Sequence, residues 1–362
     1  MPRIAILTPS ITTGDAVSND VLGMYDVLKR LGHDVRIFAE GCALKEPAVW
    51  PSPKVQRFVR KPADVLIYHY SRGWDPGLEL LREVKCRTVI KYHNVTPPEF
   101  FARYNADYAH MCLVGREQIK PIARAGCDLY LSASEYNRRE LLDEGADEGR
   151  SFVVPPFHHI DRLQDIAADL KVLDQYRDGK SNILMVGRVA PNKGHPSLIE
   201  AFAAYHHDYD RDSRLIIVGK EETRLRNYSA LLREMVKRLK LDGAVKFTGG
   251  VSDSTLKAYY QCADLFMTAS EHEGFCVPLV EAMAMKVPIV AYASSAIPDT
   301  VGDAGLVWKE RNPYLLAESV NAIVWDATVS TALGEMGRRR YERHYTNRKI
   351  ETEFLSALGN LL

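Results

Sequence analysis

Short apolar runs alternate with amphipathic stretches along the whole chain, and this alternation starts twice. In the first half the apolar runs are RIAILT, DVRIFA, DVLIYH, TVIKYH, LYLSAS and SFVVPP. The stretch VSNDVLGMYDVLKRLGH, between the first two runs, has helical periodicity and is predicted to form a helix that ends at Gly32. Strands that alternate with helices along a chain are typical of parallel sheets, so the pattern predicts an α/β fold.

The second series of runs comprises NILMVG, RLIIVG, AVKFTGG, DLFMTAS and KVPIVAY. The residues between the two series, 158–180, lose the strand rhythm and are predicted to be a linker with a short helix. A chain of 362 residues is also too long for one ordinary core. We therefore expect two doubly wound, Rossmann-like domains that face each other across a cleft. The predicted domains are residues 1–157 and residues 181–342, and the last helix, about 343–362, is expected to pack back on the first domain.

Charge and cysteine content exclude several classes of protein. Lys plus Arg and Asp plus Glu are 47 each, which argues against a general nucleic-acid binder. The six cysteines form no Cys-x-x-Cys pair, as expected for reduced thiols in the cytoplasm. The N-terminus does not resemble a signal peptide, and no apolar run is long enough to span a membrane. A membrane-bound substrate would therefore be met at the membrane surface.

Ligands of doubly wound domains bind beyond the carboxyl ends of the strands, so polar residues at those ends are candidates. The first strand leads into TPSITTGDAVSND, in which a single glycine does not make a dinucleotide fingerprint. A helix cap by Asp15 or Ser18 explains this loop most simply. The position at a strand end nevertheless makes Gly14 and Asp15 candidates for acceptor binding.

Two later strands each end in a histidine, His69 in LIYHYS and His93 in IKYHN. Single histidines are usually packed or capping residues, but two at successive strand ends favour a site. His93 is the stronger candidate because the Pro-rich stretch HNVTPPEFF follows it directly. Its imidazole could donate a hydrogen bond to a substrate hydroxyl or to a developing charge.

The first strand of the second half ends at Gly187, and the cations Arg188 and Lys193 follow in the loop. A guanidinium and an ammonium at a strand end suit a diphosphate group. The loop is not a P-loop, because the G-x-x-x-x-G-K-[ST] pattern is missing. A solvated basic loop remains the alternative interpretation.

The segment EHEGFCVPLVEAMAMKVPIVAY places a Pro-containing helix start directly after a loop. Pro278 suits the first helical turn, so the free N–H groups of Phe275, Cys276 and Val277 are expected to attract an anion. Glu273 in the loop and Glu281 in the helix could accept hydrogen bonds from sugar hydroxyls. The alternative is that Glu273 is a surface residue and that Glu281 interacts only with the helix dipole. The acidic pair Asp208 and Asp210 is predicted to be a solvated charge run, and no metal is assigned to it.

These residues carry a resemblance to a known family. The segments VGRVAPNKGHPSLIEAF, LIIVGKEE and EHEGFCVPLVEAMAMKVPIVAY, together with His93, resemble the retaining GT-B glycosyltransferases of family four. Glu273 and Glu281, eight residues apart, match the E-x7-E element of that family. The resemblance covers nearly all of the C-terminal half and is weaker over the N-terminal half.

The resemblance implies a role for each domain. The C-terminal domain would bind a nucleoside-diphosphate sugar, and the N-terminal domain would bind a saccharide or lipid-linked acceptor through the strand-end loops that hold Gly14, Asp15 and His69. His93 would lie beside the transferred sugar. No cofactor and no divalent metal would be required.

Within the C-terminal domain the resemblance implies contacts with each part of the donor. Arg188 and Lys193 would hold the diphosphate and Glu281 the ribose. Glu273 would contact the sugar, and the base would lie near Gly219 and Lys220. The remaining donor-binding positions are Gly187, Gly274, Phe275, Cys276 and Val277. Two features depart from the family pattern: Cys276 stands where many relatives have glycine, and His158–His159 where relatives often have Gly-Val.

The expected activity is hexose transfer from GDP-mannose or a similar donor to an acceptor hydroxyl, with retention, in bacterial polysaccharide or glycolipid synthesis. Three alternatives stay open: a nucleotide-sugar epimerase of the same fold, an NAD-dependent dehydrogenase, and a non-catalytic sugar-nucleotide sensor. The missing glycine fingerprint weighs against the dehydrogenase.

Overall fold

The chain forms two compact units, and each of them consists of more than one segment of the chain. The computed structural model describes residues 1–362, apart from the side chain of Asn360. The first unit consists of Met1–Glu99, Asp107–His159 and Thr346–Leu362. The second consists of Phe100–Ala106 and Ile160–Tyr345.

The first unit is built on a parallel sheet with the strand order β3-β2-β1-β4-β5-β6-β7. Its strands are β1 (Arg3–Ile11), β2 (Asp34–Cys42), β3 (Val49–Pro51), β4 (Val65–Tyr70), β5 (Arg87–Tyr92), β6 (Leu129–Ser132) and β7 (Ser151–Val153). The helices of this half of the chain are α1 (Ala16–Arg30), α2 (Val55–Phe58), α3 (Asp75–Glu83), α4 (Glu99–Ala102), α5 (Ala106–Ala123) and α6 (Glu135–Asp143).

Two hydrophobic clusters lie in the first unit, as expected for a sheet covered on both faces. The helix α16 (Asn347–Leu358), from the end of the chain, contributes to one of them. Its residues Ile350, Phe354 and Leu358 are buried in the cluster that contains Ile4 and Ile6 of β1. The last helix is therefore part of the first unit.

The second unit repeats the architecture, with the strand order β10-β9-β8-β11-β12-β13 in a parallel sheet. Its strands are β8 (Ser181–Val186), β9 (Ser213–Val218), β10 (Val245–Gly249), β11 (Leu265–Thr268), β12 (Ile289–Tyr292) and β13 (Leu306–Trp308). Its helices are α7 (Ile160–Asp165), α8 (Leu170–Tyr176), α9 (His195–Asp208), α10 (Arg226–Arg238), α11 (Asp253–Cys262), α12 (Val277–Ala284), α13 (Ile297–Val301), α14 (Pro313–Val324) and α15 (Ala327–Arg340). A π-helical turn, Tyr341–Tyr345, follows α15.

The segment predicted to be a linker, 158–180, forms two helices that belong to the second unit. Asp169 caps α8 and also accepts a hydrogen bond from Thr255 at 3.0 Å, and its N–H donates to the Ser254 carbonyl. Lys257 donates to the carbonyl oxygens of residues 164 and 166 at the end of α7. These contacts fix both helices to α11, so the segment is not a free connection.

The predicted two-domain α/β fold is confirmed, and every predicted strand is present. The strands β3 and β13, of three residues each, were not predicted. All six cysteines are free. No helix within the described part of the chain is both long and apolar enough to cross a membrane.

Candidate functional site

The switch point of the second sheet lies between β8 and β11. The connections from β8 lead to β9 and β10 on one side, whereas β11 to β13 follow on the other. The loops after β8 and β11 therefore begin at neighbouring strand ends. In an open α/β sheet this is the position at which ligands bind.

Hydrogen bonds join these two loops. The N–H of Glu271 donates to the carbonyl of Asn192 at 2.8 Å, and the amide of Asn192 donates to the carbonyl of His272 at 3.0 Å. Gly194 has φ 62°, and a Cβ added there would lie 1.9 Å from the carbonyl oxygen of Ala269. Only glycine permits this close approach, which holds the preceding residue, Lys193, against the end of β11.

Lys193 forms an ion pair with Glu273. Its Nζ lies 2.6 Å and 2.8 Å from the two carboxylate oxygens. The side chains are 15% and 8% exposed, so this pair lies mostly inside the site. The N–H of Glu273 donates to the hydroxyl of Ser295 at 2.7 Å, so the loop after β12 fixes the backbone of Glu273.

Arg188 points to a different acid. Its guanidinium forms an ion pair with Glu222, which also accepts a hydrogen bond from Arg224 at 2.6 Å. Burial favours a higher pKa for Glu222, but the Arg224 hydrogen bond and the Arg188 charge outweigh it and lower the pKa. Because Arg188 is 47% exposed, its guanidinium is accessible to a ligand from solvent.

At the start of α12, Cys276 stands where many proteins with similar motifs have glycine, and its backbone conformation explains why that position matters. Cys276 is the N-cap residue and has φ 73° and ψ 70°, the left-handed conformation that glycine adopts without strain. Its side chain is buried. Among the described residues, none accepts a hydrogen bond from the N–H of Phe275 or of Cys276. These two N–H groups can therefore bind an anion at the helix start.

Glu281 lies inside α12 and is buried. The hydroxyl of Tyr260 donates to its Oε2 at 2.7 Å. Burial raises the pKa of the Cys276 thiol well above its usual value; Glu273 and Glu281 add to this, whereas Lys193 opposes it. The charges of Lys193, Glu273 and Glu281 thus surround one helix start.

Gly219 and Lys220 follow β9, beside the loop after β8. A Cβ on Gly219 would lie 1.8 Å from the carbonyl oxygen of Gly187, so glycine is needed for the two strand ends to meet. The N–H of Val189 donates to the carbonyl of Lys220 at 2.9 Å. The Lys220 side chain is exposed.

The structure thus groups most of the predicted residues of the second half. Lys193, Glu273, Cys276 and Glu281 lie together at the start of α12, whereas Arg188 pairs with Glu222 at the end of β8. Sequence reasoning missed Glu222, Tyr260 and Ser295. The acidic pair in GKEE was a usable signal for Glu222, because it follows a strand that neighbours β8.

The corresponding switch point of the first unit lies between β1 and β4, and Asp15 acts there as a helix cap. Its Oδ2 accepts from the N–H of Ser18 at 3.0 Å, as in the simpler interpretation of this loop. The preceding Gly14 has φ 74° and open space around its Cα. Both residues lie at the carboxyl end of β1.

The two histidines contact each other. Nδ1 of His69 lies 3.0 Å from Nε2 of His93, and the rings stack with centroids 5.2 Å apart. His93 keeps 7% of its side chain exposed, but His69 is fully buried. The prediction that His69 binds the acceptor is therefore wrong for direct contact in this conformation, because His69 lies behind His93.

Two charged residues that the sequence analysis missed complete this cluster. Oδ2 of Asp20, on α1, lies 3.5 Å from Nε2 of His93 and 3.7 Å from Nζ of Lys91 on β5. Asp20 and Lys91 are fully buried. Burial raises the pKa of Asp20 to about 6, although Lys91 opposes the shift. Burial, together with the Lys91 charge, lowers the pKa of both imidazoles well below the usual value.

Donor atoms of Asp20, His69 and His93 lie within 4.8 Å of one another. We assign no metal to them, because the Lys91 ammonium already supplies a positive charge to the same carboxylate. The acidic pair of the sequence analysis has a structural role at Asp210, whose carboxylate accepts from the Ser181 hydroxyl at 2.6 Å.

The fold and the site define a class: two-domain α/β proteins of the GT-B type, with a polar site at the switch point of the second sheet. Comparison with known proteins finds a family model that matches the second half of the chain. Residues 174–340 match the model of the family "Glycosyl transferases group 1". This match agrees with the resemblance that the C-terminal half of the sequence shows.

Three similar proteins illustrate the match. A GDP-mannose-dependent α-(1-6)-phosphatidylinositol monomannoside mannosyltransferase of Mycobacterium tuberculosis is 28% identical over 236 residues, which are 60% of either chain. The O-antigen chain mannosyltransferase B of Escherichia coli is 25% identical over 70% of this chain and 64% of its own length. The chain thus spans about 60% of the first of these relatives. The structure of Anabaena HepE with UDP and glucose has a TM-score of 0.76 and 16% identity, and the match covers 99% of this chain and 100% of HepE.

Proposed function

We propose that the protein transfers a hexose from a nucleoside-diphosphate sugar to an acceptor hydroxyl. The observation that carries this proposal is the group at the start of α12, where unpaired N–H groups, the Lys193 ammonium and two buried carboxylates lie together. Amides and cations suit phosphates, and carboxylates suit hydroxyls. A nucleotide sugar needs both kinds of contact.

Each part of the site has a role in the proposed reaction. Arg188, Lys193 and the amides of Phe275 and Cys276 hold the diphosphate. Glu281, oriented by the Tyr260 hydroxyl, accepts from the ribose hydroxyls. Glu273 accepts from the donor sugar.

The remaining predicted residues are assigned to the base, to the transferred sugar and to the acceptor. The base lies near Gly219 and Lys220. His93 faces the transferred sugar, and the loop that contains Gly14 and Asp15 belongs to the acceptor side. Gly187, Gly274 and Val277 contribute backbone to the donor site.

Stabilisation of the leaving group supplies most of the rate. Negative charge grows on the diphosphate as the bond to the sugar breaks, and Arg188 and Lys193 are placed to meet it. Arg188 pairs with Glu222 and Lys193 with Glu273. The diphosphate therefore competes with carboxylates for both cations. We propose retention of configuration and no metal or other cofactor, as the family resemblance implies.

The mannosyltransferase relatives favour GDP-mannose as the donor and a glycolipid or polysaccharide acceptor at the cytoplasmic face of a membrane. A thermal-shift screen of UDP-, GDP-, ADP- and dTDP-sugars identifies the donor. Mass spectrometry of reactions with a saccharide or lipid-linked acceptor then detects the product. We expect one nucleotide series to stabilise the protein and to yield a glycosylated acceptor. Stabilisation by none of the four series would contradict the proposal.

Two alternatives use the same donor site and are separated by products. An epimerase would release an isomerised sugar without acceptor. A non-catalytic sensor would bind the donor and release no nucleoside diphosphate with any acceptor.

A further inference from the structure

The buried cluster around His93 contains charged groups that the proposed donor chemistry does not use. Its members come from three elements: Asp20 from α1, His69 from β4, and Lys91 and His93 from β5 or the residue after it. Asp20, His69 and Lys91 have no exposed side-chain surface, whereas His93 is 7% exposed. Only His93 can therefore meet a ligand, and the other three can act only through it.

The contacts determine which edge of His93 faces outward. Nε2 faces inward, toward His69 at 3.0 Å and Asp20 at 3.5 Å. No described residue forms a hydrogen bond with Nδ1. The N–H of His93 donates to the carbonyl of Tyr70 at 2.9 Å, which fixes the backbone. The ring is therefore held at one edge and open at the other.

The charges of the cluster balance without a proton on either imidazole. The Asp20 carboxylate and the Lys91 ammonium are 3.7 Å apart, and Asp20 also accepts from the N–H of Phe157 at 2.8 Å. Lys91 donates to the carbonyl of Val154. Glu353 of α16 acts on Lys91 from an exposed position. An additional positive charge on a buried imidazole would be opposed by Lys91 and by desolvation.

We propose that Asp20, Lys91 and His69 are positioning residues that hold His93 as a neutral imidazole with Nδ1 directed to the ligand. The proposal rests on the transferase function for what His93 then does. A neutral ring can form a hydrogen bond with a sugar hydroxyl without a full positive charge on the imidazole.

Removal of one charge tests the cluster. Burial is the main cause of the low pKa of both imidazoles, and the Lys91 charge adds to it. Lys91→Met deletes that charge and leaves the buried Asp20 carboxylate without a cation. The unbalanced negative charge of Asp20, whose Oδ2 lies 3.5 Å from Nε2 of His93, then favours a proton on the adjacent imidazole. We expect a new histidine titration between about pH 5 and 8. Transfer should be lost as pH falls through the raised pKa, because the neutral ring is then protonated.

The measurement is the pH dependence of imidazole ¹⁵N shifts in full-length labelled protein, with His69→Gln and His93→Gln variants to assign the signals. Wild type should show both rings neutral across this range. The double variant Asp20→Asn/Lys91→Met removes both charges and should restore neutral rings. Lys85→Met, an exposed lysine just before β5, is the matched control and should behave as wild type.

Three results would overturn the proposal: a wild-type His93 that titrates like a free histidine, a Lys91→Met protein in which neither ring titrates, or stoichiometric metal in wild type that is lost in Asp20→Asn. If Lys91→Met does not fold, the wild-type titration and the metal analysis still decide. The ¹⁵N measurement needs no substrate. If the imidazole ¹⁵N shifts are as expected but no nucleotide sugar is turned over, the transferase function is refuted and the proposal about the cluster stands. If turnover is observed but the ¹⁵N shifts are not as expected, the proposal about the cluster is refuted and the transferase function stands.

Discussion

The two sheets have the same strand order around their switch points, yet they place opposite chemistry there. In the second unit the side chains of Arg188 and Lys193 are 47% and 15% exposed, and each pairs with a carboxylate that a ligand can replace. In the first unit the cation Lys91 is fully buried, and only the edge of His93 is exposed. The shared topology thus fixes where a ligand can bind, whereas the burial of charge decides which kind of ligand suits each sheet.

The largest effect is expected when the two cations at the switch point of the second unit are removed. Arg188→Ala/Lys193→Ala should lower turnover by at least about 10²-fold, because each cation meets charge that develops on the leaving group. Steady-state release of nucleoside diphosphate measures this effect. The control Arg211→Ala/Lys246→Ala removes two exposed cations of the same unit away from the switch point and should keep wild-type turnover. Equal turnover in both double variants would show that charge at the switch point is not what matters.

A smaller effect is expected for the buried carboxylate. Glu281→Ala should weaken nucleoside-diphosphate binding by about tenfold or more, since a hydrogen bond to a charged group is worth about 1.5–3 kcal/mol. Tyr260→Phe removes only the hydroxyl that orients Glu281 and should cost less. Calorimetric titration of the nucleotide measures both. Unchanged affinity in Glu281→Ala would refute its assignment to the ribose.

The smallest effect concerns the start of α12. Cys276 has φ 73°, which strains a non-glycine residue by about 1–2 kcal/mol. Cys276→Gly relieves this strain but adds freedom to the unfolded chain and removes a buried side chain. Its free energy of unfolding should therefore stay within about 1 kcal/mol of wild type. Cys276→Val should lose about 1–3 kcal/mol, because a β-branched side chain tolerates this conformation poorly.

Urea denaturation compares these variants with Cys262→Val, a buried cysteine at the end of α11 that lacks the positive φ. A similar loss in Cys276→Val and Cys262→Val would mean that the backbone at Cys276 is not strained.

The sequence predicted the parts of the fold that depend on local pattern. The apolar runs predicted eleven strands, whereas β3 and β13 were not predicted. The segment 158–180 is predicted to be a linker with one short helix, but it forms α7 and α8, whose contacts with α11 come from residues far along the chain.

Site residues that lie in sequence motifs were predicted, whereas residues that only the packing of the fold brings together were not. Arg188, Lys193, Glu273 and Glu281 lie in motifs. Lys91, in contrast, lies inside an apolar strand, and only the fold brings it to Asp20. The burial of His69 behind His93 follows from the pairing of β4 with β5, which no spacing in the sequence reveals.

Isothermal titration calorimetry with GDP and UDP tests the central claim most directly. The proteins to compare are wild type, Arg188→Ala/Lys193→Ala and His93→Gln. We expect wild type to bind one of the two nucleotides and the double variant to lose at least about tenfold in affinity. His93→Gln should bind the nucleotide as tightly as wild type. A nucleotide that binds the double variant with full affinity, or that requires His93, would contradict the assignment of the donor site to the second unit.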